Sequence, residues 1–306
     1  MLRQRIMRYR VLHRTAYLHA EPVNLASYLL HLSPLSGPHQ VVHGATIRTD
    51  PARIRRRDAP DHFGNGVTWL FLEEQHLRFE VTLEAEVTVR PAPQPDPLAT
   101  PAWESLRNRL RPPAAPEARL VAEFGCSSPL AADEGVAADY AAQSFPPRAP
   151  ILEASLDLAG RIYRDFTFRP GSTTISTPPG RVLQQRSGVC QDFAHLMIAA
   201  LRGLGLAARY HSGYLRTRPP PGQPRLRGAD ASHAWVGVWC GPDAGWVEID
   251  PTNDSLVGED HVRLACGRDF GDVSPVRGIV LGGGKERLIV GVDLEPVDEK
   301  MPAALR

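Results

Sequence analysis

Lysine is nearly absent from this chain. Of 306 residues only Lys285 and Lys300 are lysines, so the basic charge is carried by arginine, and crosslinking of the protein to itself through lysine amines is disfavoured. Cysteine is sparse as well: Cys126, Cys190, Cys240 and Cys266 are widely spaced and form no CxxC pair. This removes the structural zinc signature and, in a reducing compartment, leaves four thiols. No stretch approaches the length of a transmembrane helix, and the basic start at residues 1–8 is not followed by the apolar run of a signal peptide. A cytoplasmic protein without a membrane partner is therefore expected. Excess charge of either sign is missing too; the formal net charge is +1 with histidine neutral, which gives no global attraction to nucleic acid. There is no HExxH spacing and no DxDxDG calcium loop, so neither a metal nor a cofactor is expected.

What the chain does have is a change of pattern along its length. From 8 to 90 short β-like runs alternate with turn signals. The clearest is 77–89, with Phe79, Val81, Leu83, Ala85, Val87 and Val89 on one face and Glu80, Thr82, Glu84, Glu86 and Thr88 on the other. No helix of comparable strength accompanies these runs, so an antiparallel β-sandwich is predicted here. Pro91, Pro93, Pro95, Pro97 and Pro101, then Pro112, Pro113 and Pro116, mark 91–149 as a linker with helical segments, one of them near 103–110. A helix is predicted over 150–165, burying Leu152, Leu156, Ala159, Ile162 and Tyr163. The remainder, to 295, holds a second helix and then strands near 207–215, 234–239, 246–250 and 287–292. That order predicts an α+β core with a helix packed on an antiparallel sheet.

The second helix carries the chemistry. Phe193, Leu196, Met197, Ala200, Leu201 and Leu204 follow the spacing of one buried helical face, and Gly203 and Gly205 supply a stop. Ser187 is the expected cap, with Gly188 allowing the tight turn before it. Cys190 then lies at the helix start, where unpaired N–H groups and the positive end of the macrodipole favour a thiolate. Cys126, Cys240 and Cys266 lack that setting and read as packing residues. Downstream, Ser232-His233-Ala234-Trp235 begins a strand, and Trp246-Val247-Glu248-Ile249-Asp250 forms a second strand after a turn. Such a hairpin puts a histidine beside an aspartate. Cys190, His233 and Asp250 thus supply the nucleophile, base and orienter of thiol acyl transfer.

Other residues have plainer readings. His195, five residues after Cys190 on the same helix, points well away from the thiol and is expected to be structural. His211 is expected near the surface. Asp192 reads as a favourable first-turn acid, and Glu248, on the same strand face as Asp250, is the substitute orienter. Trp235 and Trp246 are expected to flank the base and orienter as packing residues. The N–H of Cys190 is a better oxyanion donor than Gln184 or Gln185. The arginine- and proline-rich connection 216–230 reads as a solvated loop, with steering of acidic substrates into the cleft as the alternative.

These residues resemble the bacterial transglutaminase-like proteins, a branch of the papain-like cysteine proteases and transglutaminases. The matching pieces are Gly188-Val189-Cys190-Gln191-Asp192-Phe193-Ala194-His195, Ser232-His233-Ala234-Trp235 and Trp246-Val247-Glu248-Ile249-Asp250-Pro251-Thr252, in the order Cys, His, Asp. His13-Arg14-Thr15-Ala16-Tyr17 and Asp61-His62-Phe63-Gly64-Asn65-Gly66-Val67 resemble the domain that precedes the catalytic core. His261-Val262-Arg263 and Gly267-Arg268-Asp269-Phe270-Gly271-Asp272-Val273-Ser274-Pro275 resemble the tail. The resemblance implies an N-terminal domain over 8–90 and a transglutaminase-like catalytic core over 150–295, with Cys190, His233 and Asp250 catalytic and a peptide or protein as substrate. The absence of zinc-binding cysteine pairs separates the chain from transglutaminase-like deglycosylases. Hydrolysis of a peptide or isopeptide bond is the favoured activity. Protein-glutamine transglutamination, acetyl transfer by the same triad and, from another class, a non-catalytic peptide-binding module stay open.

Overall fold

The computed structural model describes residues 5–111, 116–132, 135–217 and 231–297. Most of the arginine-rich connection, 218–230, lies outside the described residues. The first five strands are β1 (Met7–Leu30), β2 (Gln40–Asp50), β3 (Arg55–Pro60), β4 (Gly66–Leu72) and β5 (His76–Val89). They form an antiparallel sheet in the order β2-β5-β1-β4-β3. The expected antiparallel β-domain is a single curled sheet, because β1 serves both of its halves. Its first part pairs with β5, from Met7↔Val89 to Leu18↔Arg78, and its last part with β4, from Ala26↔Leu72 to Leu30↔Thr68. The register slips between Leu18 and Val23, around Pro22, which has no N–H to give to a ladder. The curl closes on apolar side chains, with Tyr28 of the second part stacked on Phe79 of β5 at 4.0 Å between centroids.

The proline-rich segment that follows is packed rather than open. It contributes α1 (Trp103–Arg109), α2 (Pro116–Glu123) and α3 (Val136–Ala142). Leu106, Ala137, Tyr140, Ala141 and Phe145 are buried in one core with the residues of the later helices. Helix α1 lies where a helix is expected near 103–110, and the proline that begins α2 is compatible with helix. Next come α4 (Ile151–Asp165), β6 (Thr167–Phe168), α5 (Pro179–Gln185), β7 (Ser187–Gly188) and α6 (Cys190–Gly203). In α4 the buried face includes Ile151, Leu152, Ser155, Leu158, Ala159 and Ile162, whereas Tyr163, expected inside, is exposed.

The second sheet is antiparallel, in the order β11-β10-β9-β8-β12. Its strands are β8 (Ala208–Leu215), β9 (Ala231–Trp239), β10 (Trp246–Asp250), β11 (Ser255–Leu256) and β12 (His261–Gly267). Period two divides β9: Ala234, Val236 and Val238 enter the helical core, and His233 and Trp235 take the other face. Helix α6 is buried on nearly every side, between α3, α4 and α5 and the strands β8 and β9. After α7 (Phe270–Val273), β13 (Val276–Gly282) and β14 (Glu286–Pro296) return to the first sheet and pair with β1. The strand expected at 287–292 therefore exists but joins β1, since alternation identifies a strand without naming its partner. Among the described residues no helix is long and apolar enough to cross a membrane.

Two buried amides tie the sheets together. Gln40 donates to the carbonyls of Leu35 and Arg263 and accepts from the Arg263 N–H. Asn65 likewise donates to the Cys266 carbonyl and accepts from the Cys266 N–H. Each amide thus pairs with a residue of β12 as a neighbouring strand would.

Gly213 of β8, opposite His233, shows how tightly the second sheet is packed. A Cβ there would lie 2.2 Å from the Val262 carbonyl oxygen and 2.3 Å from the Trp235 ring. Gly213→Ala is expected to lower the unfolding free energy by about 1–3 kcal/mol, the usual range for overpacking. Urea titration reads this as a lower midpoint, and an unchanged midpoint would mean that Trp235 can move aside freely.

Candidate active site

The turn before α6 is built differently from the expectation. Ser187 does not cap the helix; it lies in β7, which runs parallel to β6. The left-handed residue of the turn is Arg186, with φ 52°. Val189 is the N-cap, and its N–H is met by the Asp192 side chain at 2.7 Å, while Thr173 Oγ1 donates to the same Asp192 oxygen. Asp192 is thus a first-turn acid, though burial raises its carboxyl above the ordinary value against the pull of these two bonds. Gly188 is required by contact, because a Cβ there would come within 2.8 Å of the Asp192 Cβ. Cys190 follows as the first helical residue, half-buried, where a main-chain N–H has no carbonyl within the helix to bond.

The hairpin β9–β10 brings the other two residues together. His233 Nε2 donates to Asp250 Oδ2 at 2.7 Å. The Cys190 thiol lies near enough to the His233 ring to favour its protonated form together with Asp250. Burial opposes protonation of His233, yet the bond to Asp250 and the nearby Cys190 thiol carry its pKa up to about 10. Asp250 is fully buried and burial alone would raise it; hydrogen bonds from His233 and His261 instead hold it well below the usual carboxylate range. Its Oδ1 accepts from the Thr252 N–H at 2.9 Å, and its Oδ2 also accepts from Asn253 Nδ2 at 2.7 Å and His261 Nε2 at 3.2 Å.

His261 and Asn253 are the members of this cluster that the sequence did not single out. In a flat sheet β10 and β12, three strands apart, would lie about 14 Å from each other. Only the coiling of the sheet brings His261 to Asp250. His233, Asp250 and His261 offer donor atoms within 4.8 Å of one another, the spacing of a small metal-ligand set. Here the atoms are occupied by one another, since three N–H groups converge on a single carboxylate oxygen, and a cation would have to displace them.

The remaining candidates fall outside the cluster. Glu248 takes the Trp235 indole N–H at 2.7 Å and Arg263 Nε at 2.9 Å, so it is not a second orienter. Burial would raise it, but His211, Arg263 and Arg209 bring it down to about 2. Trp235 lies against His233, whereas Trp246 packs on Trp239 and Phe124. Gln185 donates to the Ser187 carbonyl. His195 is structural, accepting the Phe270 N–H at 3.1 Å, and burial lowers it to about 4. His211 is buried against Trp235 rather than near the surface. Cys240 is buried, as a packing residue should be, and its thiol is pushed up to about 12 by burial. Cys266 is partly buried, whereas Cys126, in the turn that follows α2, is exposed rather than packed.

Residues 138–251 match the transglutaminase-like superfamily, and residues 9–88 match the bacterial transglutaminase-like N-terminal region. The chain is 42% identical over 300 residues to Uncharacterized protein Rv2569c of Mycobacterium tuberculosis, covering 95% of this chain and 93% of that one. The chain belongs to the bacterial transglutaminase-like family. That superfamily is one of thiol-dependent enzymes. A shorter match, 34% identical over 88 residues, links 28% of the chain to 13% of a protein-glutamine gamma-glutamyltransferase of Pseudomonas aeruginosa. Among solved structures, a "Putative Cysteine Protease from Cytophaga hutchinsonii" shares the fold, with a TM-score of 0.74 at 20% identity over 97% of this chain and 93% of that one.

A buried histidine behind the site predicts that stability of this family member falls with acid. Burial lowers His211 from 6.5 to about 3, so the folded chain holds it neutral where the unfolded chain protonates it. Its contribution is complete above 6.5 and is lost as pH falls towards 3. His211→Gln keeps an acceptor for the Arg209 Nε–H and cannot titrate. Its stability should fall less steeply with acid, by about one proton or about 1.4 kcal/mol per pH unit within that window. Parallel stability–pH curves for the two proteins would contradict this.

Proposed function

We propose that this protein is a thiol-dependent amide hydrolase in which Cys190 is the nucleophile, His233 the acid and base, and Asp250 the orienter, acting on a peptide or isopeptide bond. The observation that carries the reading is the bond from His233 to the buried carboxylate of Asp250, with the half-buried thiol at the helix start near enough to that ring to favour its protonated form. A ring favoured in its protonated form beside a thiol favours an imidazolium–thiolate pair. The thiolate adds to the amide carbonyl carbon, and the developing oxyanion meets the Cys190 N–H. The C–N bond then breaks, His233 gives its proton to the departing amine, and a thioester is left on Cys190. Water, losing a proton to His233, adds to the thioester, and the acid and the free thiol are released.

The name of the Cytophaga hutchinsonii protein supports hydrolysis. The second reading, transfer of a glutamine acyl group to an amine, is favoured by the short match to the Pseudomonas aeruginosa gamma-glutamyltransferase. The two differ only in what resolves the thioester.

Cys190→Ala is expected to abolish turnover and leave the circular dichroism spectrum unchanged, because the side chain is small and half-buried. Iodoacetamide near neutral pH should alkylate Cys190 ahead of the exposed Cys126; equal rates at both would favour a non-catalytic peptide-binding module.

Mass spectrometry of a glutamine-containing peptide incubated with the enzyme, with and without a primary amine, separates the two reactions. Cleavage or deamidation by water, little altered by the amine, is expected. Predominant amine incorporation would establish a transglutaminase.

A further inference from the structure

His261 is a buried titratable side chain that none of these acyl-transfer steps uses. Its Nε2 lies 3.2 Å from Asp250 Oδ2, and its Nδ1 lies 3.4 Å from the Gly258 N. A main-chain N–H can only donate, so Nδ1 is the acceptor and the ring proton sits on Nε2, facing the carboxylate. The ring is confined by Trp235, edge-on at 5.3 Å between centroids, and by the His233 ring at 6.0 Å. Asp250 Oδ2 therefore receives three N–H groups, from His233 on β9, His261 on β12 and Asn253 in the turn after β10.

We propose that His261 is a positioning residue which, by donating its Nε2–H to Asp250, keeps that carboxylate ionised and turned towards His233. The proposal rests on the reading of Cys190, His233 and Asp250 given above. A carboxylate without exposure to water is driven towards its neutral form unless donors compensate. Once neutral, Asp250 would no longer favour the imidazolium. The other charged and titratable groups nearby are already engaged. Glu248 on β10 is paired with Arg263 on β12, and His211 on β8 is bonded to Arg209. At the start of β12, Asp260 meets Arg216 at 3.7 Å and the Tyr9 hydroxyl at 3.1 Å. Cys190 on α6 reaches the cluster through His233.

The test is the pH profile of Cys190 alkylation by iodoacetamide in the full chain, read at that cysteine by peptide mass spectrometry. An imidazolium–thiolate pair gives two steps, the lower for its formation and the upper for loss of the imidazolium proton. In His261→Met, which keeps bulk and removes the donor, the lower step should rise and the upper step fall. The interval should narrow by about one pH unit, the equivalent of about tenfold in pair formation. His261→Gln, whose amide can present an N–H in place of Nε2–H, should restore the wild-type interval. A His261→Met profile that superimposes on wild type overturns the proposal, as does a His261→Gln profile displaced as far as that of His261→Met. A wild-type protein with a single step would instead remove the ion pair, and with it the reading of the site. Should His261→Met fail to fold, the ring ¹⁵N shifts of His261 in the wild-type protein decide the matter: the Nε2–H tautomer is expected, and the Nδ1–H tautomer refutes the role.

Discussion

A carboxylate with no contact with water persists as an anion only where donors meet its oxygens, and at Asp250 four of them do so. The Thr252 main chain, the Asn253 amide and two imidazoles supply those bonds; the first two come from the turn after β10, which ends on Asp250 itself, and the imidazoles from β9 and β12. This one charge therefore fixes the relative position of three strands. It also sets the state of His233, since a buried imidazole would otherwise stay neutral. Two opposite charges sharing a hydrogen bond shift each other, which is why burial loses at both: Asp250 is held down and His233 is held up. The thiol of Cys190 enters this arrangement from a different element, the helix α6.

Helix α6 can deliver its first residue to that point because both of its ends are fastened. At the start, the N-cap N–H is paired with Asp192, and Gly188 leaves room for that side chain. At the other end the buried Arg202 donates to the carbonyls of Phe124, Ala208 and Arg268 and to Ser128 Oγ. A cation near a helix C-terminus also suits the macrodipole. Burial lowers that guanidinium to about 10, so it stays charged at neutral pH. Gly205, with φ 82°, then turns the chain into β8. Four carbonyl and hydroxyl partners from separate segments make α6 a fixed strut rather than a helix free to slide along the sheet.

What could be read from the sequence was local in origin. Alternation over 77–89 specifies a strand with one wet face, and the spacing from Phe193 to Leu201 specifies a helix. The pair His233 and Asp250 was legible because a hairpin joins them through a short turn. His261 was not, because a lone histidine before Val262-Arg263 has no spacing that marks a ligand, and its approach to Asp250 comes from the coil of a whole sheet. The hydroxyl of Ser187 suits a cap, but the N-cap is Val189, two residues farther on, and the acid at the third helical residue, Asp192, meets its N–H instead. The strand at 287–292 was visible while its partner was not. Choice of partner depends on which buried face has room, and Val292 and Leu294 find theirs in the core of the first sheet. The surface assignment of His211 failed because a single polar residue in a strand does not reveal that both faces of that strand are covered.

The same physics gives the first sheet a part in the site. β12 is the last strand of the second sheet, and an edge strand leaves main-chain groups unpaired unless something covers them. Gln40 and Asn65 cover two of its residues, each amide donating to a carbonyl and accepting an N–H as a neighbouring backbone would. Asn65 is itself held by Asp61, which accepts both its main-chain and its side-chain N–H. Tyr9 of β1 adds a bond from its hydroxyl to the Glu259 carbonyl, two residues before the same strand begins. These amides are fully buried, so each unmade bond would leave a desolvated polar group, which makes the position of β12 costly to shift. His261 stands at the first residue of β12. The segment that runs from Asp61 to Asn65 thus bears on Asp250 at one remove, through the strand it pins, and the N-terminal sheet forms part of the scaffold that aims the carboxylate.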